Sequence, residues 1–408
     1  MKFIFFLPSF LFIFSFSIHA QSPSPDSLKI KIGQMILIGY PGPSVDEKVL
    51  TEIKSGKVGS IILFEKNVPK TNSYIALKRM TWAYQQAAPI PLFICIDQEG
   101  GLVNRLKDKY GFPKSITATQ MGKAGSLDTV RLYGEATAST LAGLGLNVNF
   151  APCVDLASNP SNFIARAGRP FSSNEDSVAL LAKEFILQHR KYNVVTSLKH
   201  FPGHGSANSD THFGLADVTQ TWEDKELVPY KNLIDQGLVD AVMTAHIVNK
   251  NLDPQGNPGT LSKPILTDLL RNKLGFNGVV FSDDMQMHAI SKNYSLEKTV
   301  KLAIQAGVDI MCFSNNISGS DERTVDVIHK IINSLIEKGE ISEERIDQSF
   351  KRIMSLKRQR GLMPIEKIEP RPEKPNLPKS QEEVNLPVSS PEKTIEKPET
   401  PKKKRRKK

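Results

Sequence analysis

Eight short apolar runs recur along the chain, at Met35–Gly39, Ser60–Phe64, Leu92–Asp97, Val148–Asp155, Val194–Lys199, Ala241–His246, Val279–Asp283 and Val308–Phe313. They are mostly Val, Ile, Leu and Phe with little polar alternation, the pattern of strands buried on both faces. Stretches of helical spacing lie between them, as at Ser177–Tyr192, Leu266–Leu274 and Leu296–Ala306. Buried runs alternating with helices predict a parallel sheet. The count of eight predicts an α/β fold closed as a single (β/α)8, TIM-like barrel, in preference to an open doubly wound sheet. One domain, residues 26–362, holds all eight runs, a length such barrels reach.

Both ends differ from this pattern. Residues 1–20 carry Lys2, then a mainly apolar stretch, then Ala20. That is a signal peptide's plan, so an exported protein, periplasmic or secreted, is expected. The run is short for a membrane span and contains Pro8. Residues 364–408 are rich in Pro, Glu and Lys and contain no aromatic residue, a composition that predicts a disordered tail. The tail closes on seven successive cations, Lys402–Lys408, which inflate the chain's net charge of +10. The run is either solubilising or attracts an anionic envelope polymer; no nucleic-acid partner is expected. Cys95, Cys153 and Cys312 each sit in an apolar run as small hydrophobes, and no disulfide framework is expected. The protein is expected to be a monomer.

The candidate chemistry is concentrated in Ser197–Leu215, S-L-K-H-F-P-G-H-G-S-A-N-S-D-T-H-F-G-L, which holds three of the eight histidines. An apolar lead-in ends at Lys199 and His200 and opens into a polar, glycine-rich loop. In Asp210-Thr211-His212 a carboxylate can fix one imidazole nitrogen and leave the other free for proton transfer. His200, His204, Asp210 and His212 also have zinc-ligand chemistry. Pro202 and the glycines exclude helical ligand spacing and the chain has no Cys-x-x-Cys, so no metal or other cofactor is expected. Downstream, Val279–Phe281 runs into Ser282-Asp283-Asp284. A carboxylate at the end of an apolar strand must be paired or functional. Asp284 is expected to cap a helix starting at Met285, leaving Asp283 as a nucleophile.

The motifs K-H-F-P-G-H-G, D-T-H and G-F-N-G-V-V-F-S-D-D, in this order, resemble glycoside hydrolase family 3, and within it the NagZ-type β-N-acetylglucosaminidases. The resemblance spans roughly Lys29 to Leu362. It implies that Asp283 is the nucleophile, that His212 assisted by Asp210 is the acid/base, and that Asp97, Lys199, His200 and an upstream arginine hold the sugar. Arg169 is the favoured arginine, although Pro170 stands where relatives have Ser, and Arg166 is close by. Asp155 ends another run, with binding and structural roles left open; His246 is a candidate binding residue. Gly100 and Gly101 are expected to let the backbone of D-Q-E-G-G pass close to a ligand.

The expected activity is retaining exo-β-N-acetylglucosaminidase, on cell-wall fragments or chitin oligomers with a terminal N-acetylglucosamine. Its nearest rival is a β-N-acetylglucosaminide phosphorylase, since an imidazole acid/base does not repel phosphate. A metal-dependent hydrolase and a noncatalytic sugar-binding protein are more distant. The loop Phe201–Leu215 is expected to move when substrate binds.

Overall fold

The computed structural model describes residues 27–209, 211, 214–319 and 324–363. The expected leader and tail, and the candidate residues Asp210 and His212, lie outside these.

Eight parallel strands close into a barrel in chain order: β1 (Ile36–Gly39), β2 (Ser60–Leu63), β3 (Phe93–Ile96), β4 (Val148–Asn149), β5 (Val195–Phe201), β6 (Ala241–Thr244), β7 (Val279–Asp284) and β8 (Ile310–Phe313). β8 returns to β1 through the pairs Ile36–Met311 and Ile38–Phe313. Every predicted run therefore supplies one barrel strand. Their residues are almost all buried because helices cover the outside while side chains fill the inside.

Two strands depart from the expected bounds in ways that shape the rim. β4 leaves the sheet after two residues, and Pro152 just beyond has no N–H to donate to a ladder. The chain still follows β5, with Val154 N–H donating to Lys199 O, and so delivers Asp155 beneath the Lys199-His200 step. β5 is longer than expected and keeps both of those residues within the strand. The segment Pro264–Lys273 is wound as a π-helix, where an ordinary helix over Leu266–Leu274 was expected. Leu296–Ala306 is helical to the residue, capped by Ser295 accepting from Lys298 N–H.

The middle of the barrel is aromatic. Phe281 meets Phe150 edge-on at 5.1 Å between ring centres and Phe93 at 6.2 Å. Each such pair adds about 0.5–1.5 kcal/mol beyond the area it buries. The floor is closed by the amphipathic helix Glu343–Gln359. Its Lys357 is fully buried, donates to Gln34 Oε1 and Gly59 O, and lies 4.7 Å from the centre of the Phe93 ring. The same helix sends Arg352 to Asp309, a fully buried carboxylate also bonded by Arg271 at 2.7 Å. Cys95, Cys153 and Cys312 are buried and free. Among the described residues no helix is long and apolar enough to cross a membrane.

Burial, with no carboxylate bonded to the amine among the described residues, brings Lys357 down to about 7. Its unfolded value is near 10.4, so the unfolded chain holds the extra proton between these limits and folding stability rises with pH across that window. Lys357→Met removes this term. The gap in unfolding free energy between wild type and Lys357→Met should shift in favour of wild type by a few kcal/mol from about pH 7 to pH 10. Urea titrations at both pH values measure it; a pH-independent gap would contradict the buried, easily neutralised amine.

Candidate active site

The ends of β3, β4, β5 and β7 lie on one rim, and polar residues at and beyond the first three form a single network. Lys199, 2% exposed, donates to Asp97 Oδ1 at 2.8 Å and pairs with Glu99 at 2.6 Å. Glu99 is also held from two sides by Arg169, whose Nε and terminal nitrogen lie 2.9 and 2.8 Å from its two oxygens. Arg105 reaches the second Asp97 oxygen at 3.3 Å. Arg169 donates to His200 Nε2 at 3.0 Å, while His200 Nδ1 faces Asp155 Oδ2 at 2.7 Å. These contacts assign the His200 proton to Nδ1, since the nitrogen facing a guanidinium must accept.

Charge balance explains why such groups tolerate burial. Burial alone would raise the Asp97 and Glu99 pKa values, but the cations outweigh it. Lys199 and Arg105 leave Asp97 lowered; Arg169 and Lys199 bring Glu99 to about 2. Burial would lower Lys199, and the two carboxylates outweigh that and raise it. All of these groups are charged at neutral pH.

Asp155 is the hub of the adjoining layer. It is completely buried and accepts from the His200 N–H at 3.1 Å, the His204 N–H at 2.8 Å and the Cys153 thiol at 3.2 Å, besides the His200 ring. Burial opposes its charge, but His200 and these donors hold it well below the usual carboxylate range. The ligand-type atoms of Cys153, Asp155 and His200 lie within 4.8 Å of one another. They already bond one another, and burial, followed by Asp155, pushes the Cys153 thiol well up, which is unfavourable for the thiolate a metal needs.

β7 carries the two aspartates. Asp283 is half-buried at the rim; its N–H donates to Thr244 Oγ1 at 3.3 Å and its Oδ1 accepts the Asp284 N–H at 2.8 Å. The expected helix cap at Asp284 is not formed. The short helix His288–Ser291 starts after Met287, and Asp284 belongs to the strand. Its carboxylate ties β7 to the segment leaving β8, accepting from the Gln286 and Ser314 N–H groups and bonding the Ser314 hydroxyl. Burial raises it to about 6. His246 is buried behind β7, with Nδ1 2.7 Å from Thr260 Oγ1 and Nε2 2.9 Å from Asp284 O.

The loop after β5 is held tightly at its start. Asp155 bonds His204, Asn162 Nδ2 donates to the His204 and Ala207 carbonyls at 2.9 and 2.8 Å, and Trp222 donates to Pro202 O. Residues 201–207 are buried and bonded, so the expectation of movement from Phe201 onward does not fit this segment. Thr211, between the two acid/base candidates, is buried; its carbonyl accepts the Ala289 N–H at 3.3 Å and its hydroxyl lies 3.5 Å from His204 Nε2. Residue 211 thus sits against the segment on the C-terminal side of Asp283.

Of the predicted residues, Asp97, Arg169, Lys199 and His200 are brought into one bonded network, with Asp283 and His246 on the neighbouring β7 side. Arg166, the other candidate arginine, is exposed on the helix Phe163–Arg166. Sequence reasoning missed Glu99 and Arg105. A second acid two residues after Asp97 was the available signal, since a buried Lys beside an Arg needs more than one carboxylate. Gly100 and Gly101 serve close packing inside the protein: a Cβ on Gly100 would lie 2.3 Å from Ile116 O, and one on Gly101 2.3 Å from Thr117 Cγ2.

Residues 27–356 match the family model described as glycosyl hydrolase family 3 N terminal domain. The chain belongs to glycosyl hydrolase family 3. It is a glycoside hydrolase on that ground and on its relatives. It is 32% identical over 288 residues to a beta-hexosaminidase of Tolumonas auensis, covering 70% of this chain and 84% of that one. It is similar to a family 3 beta-N-acetylglucosaminidase structure from Paenibacillus, with TM-score 0.76 and 34% identity, over 82% of this chain and 63% of that longer one. The beta-N-acetylhexosaminidase structure of Beutenbergia cavernae superposes with TM-score 0.71 at 27% identity, over 82% of this chain and 98% of that one.

Removing one partner of a buried, bonded ion pair costs about 3–5 kcal/mol. Arg169→Ala should lose an amount of that order in urea unfolding, whereas the exposed Arg166→Ala should stay within about 0.5 kcal/mol of wild type. Similar losses in both variants would contradict the network.

Proposed function

We propose that this family 3 enzyme is a retaining exo-β-N-acetylglucosaminidase, cleaving a terminal β-linked N-acetylglucosamine. The observation that carries the proposal is the rim network of Asp97, Glu99, Lys199, Arg169 and His200 beside Asp283. It offers fixed carboxylates and cations to sugar hydroxyls on one side and an ionisable carboxylate to the anomeric carbon on the other. The enzymes named above, from Tolumonas, Paenibacillus and Beutenbergia, support the same substrate class.

Asp283 attacks the anomeric carbon. As the bond to the leaving oxygen breaks, His212 gives that oxygen its proton, and Asp210 stabilises the imidazolium. The product is a glycosyl ester on Asp283. Water then attacks the anomeric carbon, His212 takes its proton, and Asp283 leaves as a carboxylate. Retaining glycosidases ordinarily use two carboxyl groups about 5 Å apart; here an imidazole–carboxylate pair replaces one. The ion network holds the ring in attacking geometry before reaction, so little reorganisation remains for the transition state. The leader and basic tail fit an exported enzyme acting on cell-wall fragments; chitin oligomers offer the same terminal sugar.

Asp283→Asn should bind N-acetylglucosamine near wild-type strength by calorimetry yet lose essentially all turnover of an aryl β-N-acetylglucosaminide. Retained turnover would remove Asp283 as nucleophile. Phosphate buffer separates the rival activity: the proposal expects free N-acetylglucosamine, and accumulation of its 1-phosphate would make the enzyme a phosphorylase. Chelators should leave the rate unchanged; loss of activity restored by a divalent metal would favour the metal-dependent hydrolase.

A further inference from the structure

One buried carboxyl on the catalytic side belongs to none of the interactions above. Glu226 lies in the 3-10 turn Asp224–Leu227 that precedes the helix Val228–Asp235, and is 1% exposed. Neither of its carboxyl oxygens closes a hydrogen bond among the described residues. Burial, followed by the negative charge of Asp155, lifts its pKa to about 8; the N–H groups of Leu156, Gly205 and Ser206 face it and oppose that rise. A leucine would fill this space without the cost of dehydrating a carboxyl. The polar group is therefore unexplained by packing alone.

Its position gives it a use. Gly203, with φ +115, lies flat on the Glu226 side chain: a Cβ there would be 2.6 Å from Glu226 Cβ and 2.7 Å from Oε2. Gly205 is packed closely against Leu156, where a Cβ would be 1.9 Å from Leu156 O. The two glycines of the P-G-H-G motif thus let the chain lie directly against Glu226 and Leu156. Trp222, from just before the same turn, bonds Pro202 O at 3.2 Å. The segment so clamped, residues 202–206, ends four residues before Asp210. His204, within it, is kept neutral by burial, with its pKa lowered to about 4, and touches the Thr211 hydroxyl.

We propose that Glu226 is a positioning residue for the acid/base loop: its carboxyl, set against the backbone of residues 203–206, fixes the height at which the loop leaves the clamp and so where His212 meets the leaving oxygen. This rests on His212 being the general acid. Glu226 touches no substrate; it acts through Gly203, Gly205 and Ser206. Gln keeps the shape and one accepting oxygen, Leu keeps only bulk, and Gly203→Ala pushes the loop away from the same contact.

The test compares Glu226→Gln, Glu226→Leu, Gly203→Ala and His212→Ala on two glycosides of N-acetylglucosamine, one with the strongly acidic leaving group 2,4-dinitrophenol and one with phenol. His212→Ala should lower kcat on the phenyl substrate by about 100-fold more than on the dinitrophenyl one. Glu226→Leu and Gly203→Ala should show the same selective loss, of order 10- to 100-fold for a displacement near 1 Å, with KM little changed. Glu226→Gln should restore most of it. If Glu226→Leu does not fold, Gly203→Ala with Glu226→Gln carries the comparison. Losses equal on both substrates and tracking each variant's fall in Tm would make Glu226 merely structural and overturn the inference. If His212→Ala itself shows no leaving-group selectivity, the acid assignment falls and this inference falls with it.

Discussion

The site is organised around one buried ammonium group. Lys199 lies near the C-terminal end of a strand that is covered on both faces, and its charge is tolerated there only because Asp97 and Glu99 stand within 2.8 and 2.6 Å. Glu99 in turn needs Arg169, and Arg169 fixes the His200 ring whose far side rests on Asp155. A buried cluster of this kind is a weak source of stability, since apolar residues of similar size often fold as well. What it does supply is a set of charges already desolvated and aimed at one place, which is how an enzyme stabilises charge that develops during reaction.

The barrel makes the cluster possible by dividing its interior into layers. Rings of Phe93, Phe150 and Phe281 fill the middle, so the polar rim above is separated from the floor below. The floor has its own polar contacts, the fully buried Lys357 on Gln34 and the buried Asp309 met by Arg271 and the half-buried Arg352, which join the last helix to the strands. The rim can therefore carry irregular chain. β4 gives up its ladder after two residues, and two glycines let the loop after β5 lie directly against Glu226 and Leu156.

Much of this was legible in the sequence, and the reasons are specific. Parallel strands buried on both faces leave uninterrupted apolar runs, so all eight were visible. The rim residues came with them, because in this fold polar residues that end such runs face the site. What stayed hidden depends on packing between distant segments. Arg169 and Arg166 are three residues apart, and only the fold turns one inward and leaves the other on an exposed helix end. Asp284 looked like a helix cap because Asp commonly is one, yet bonds from Ser314, thirty residues on, hold it in the strand. Glu99 and Glu226 carry no local periodic signal at all. Gly100 and Gly101 were read as letting the backbone pass close to a ligand; the close approaches seen are to Ile116 and Thr117 of the chain itself.

Attack by Asp283 on a sugar bound against the Lys199 cluster is the step on which the proposed chemistry turns. Trapping the covalent intermediate tests it most directly. The enzyme is incubated with a fluorinated N-acetylglucosaminyl fluoride that forms the glycosyl ester faster than water removes it, then digested and sequenced by tandem mass spectrometry. A single sugar adduct is predicted on Asp283, absent from Asp283→Asn. An adduct on any other side chain, or an inactivated enzyme with Asp283 unmodified, would contradict it.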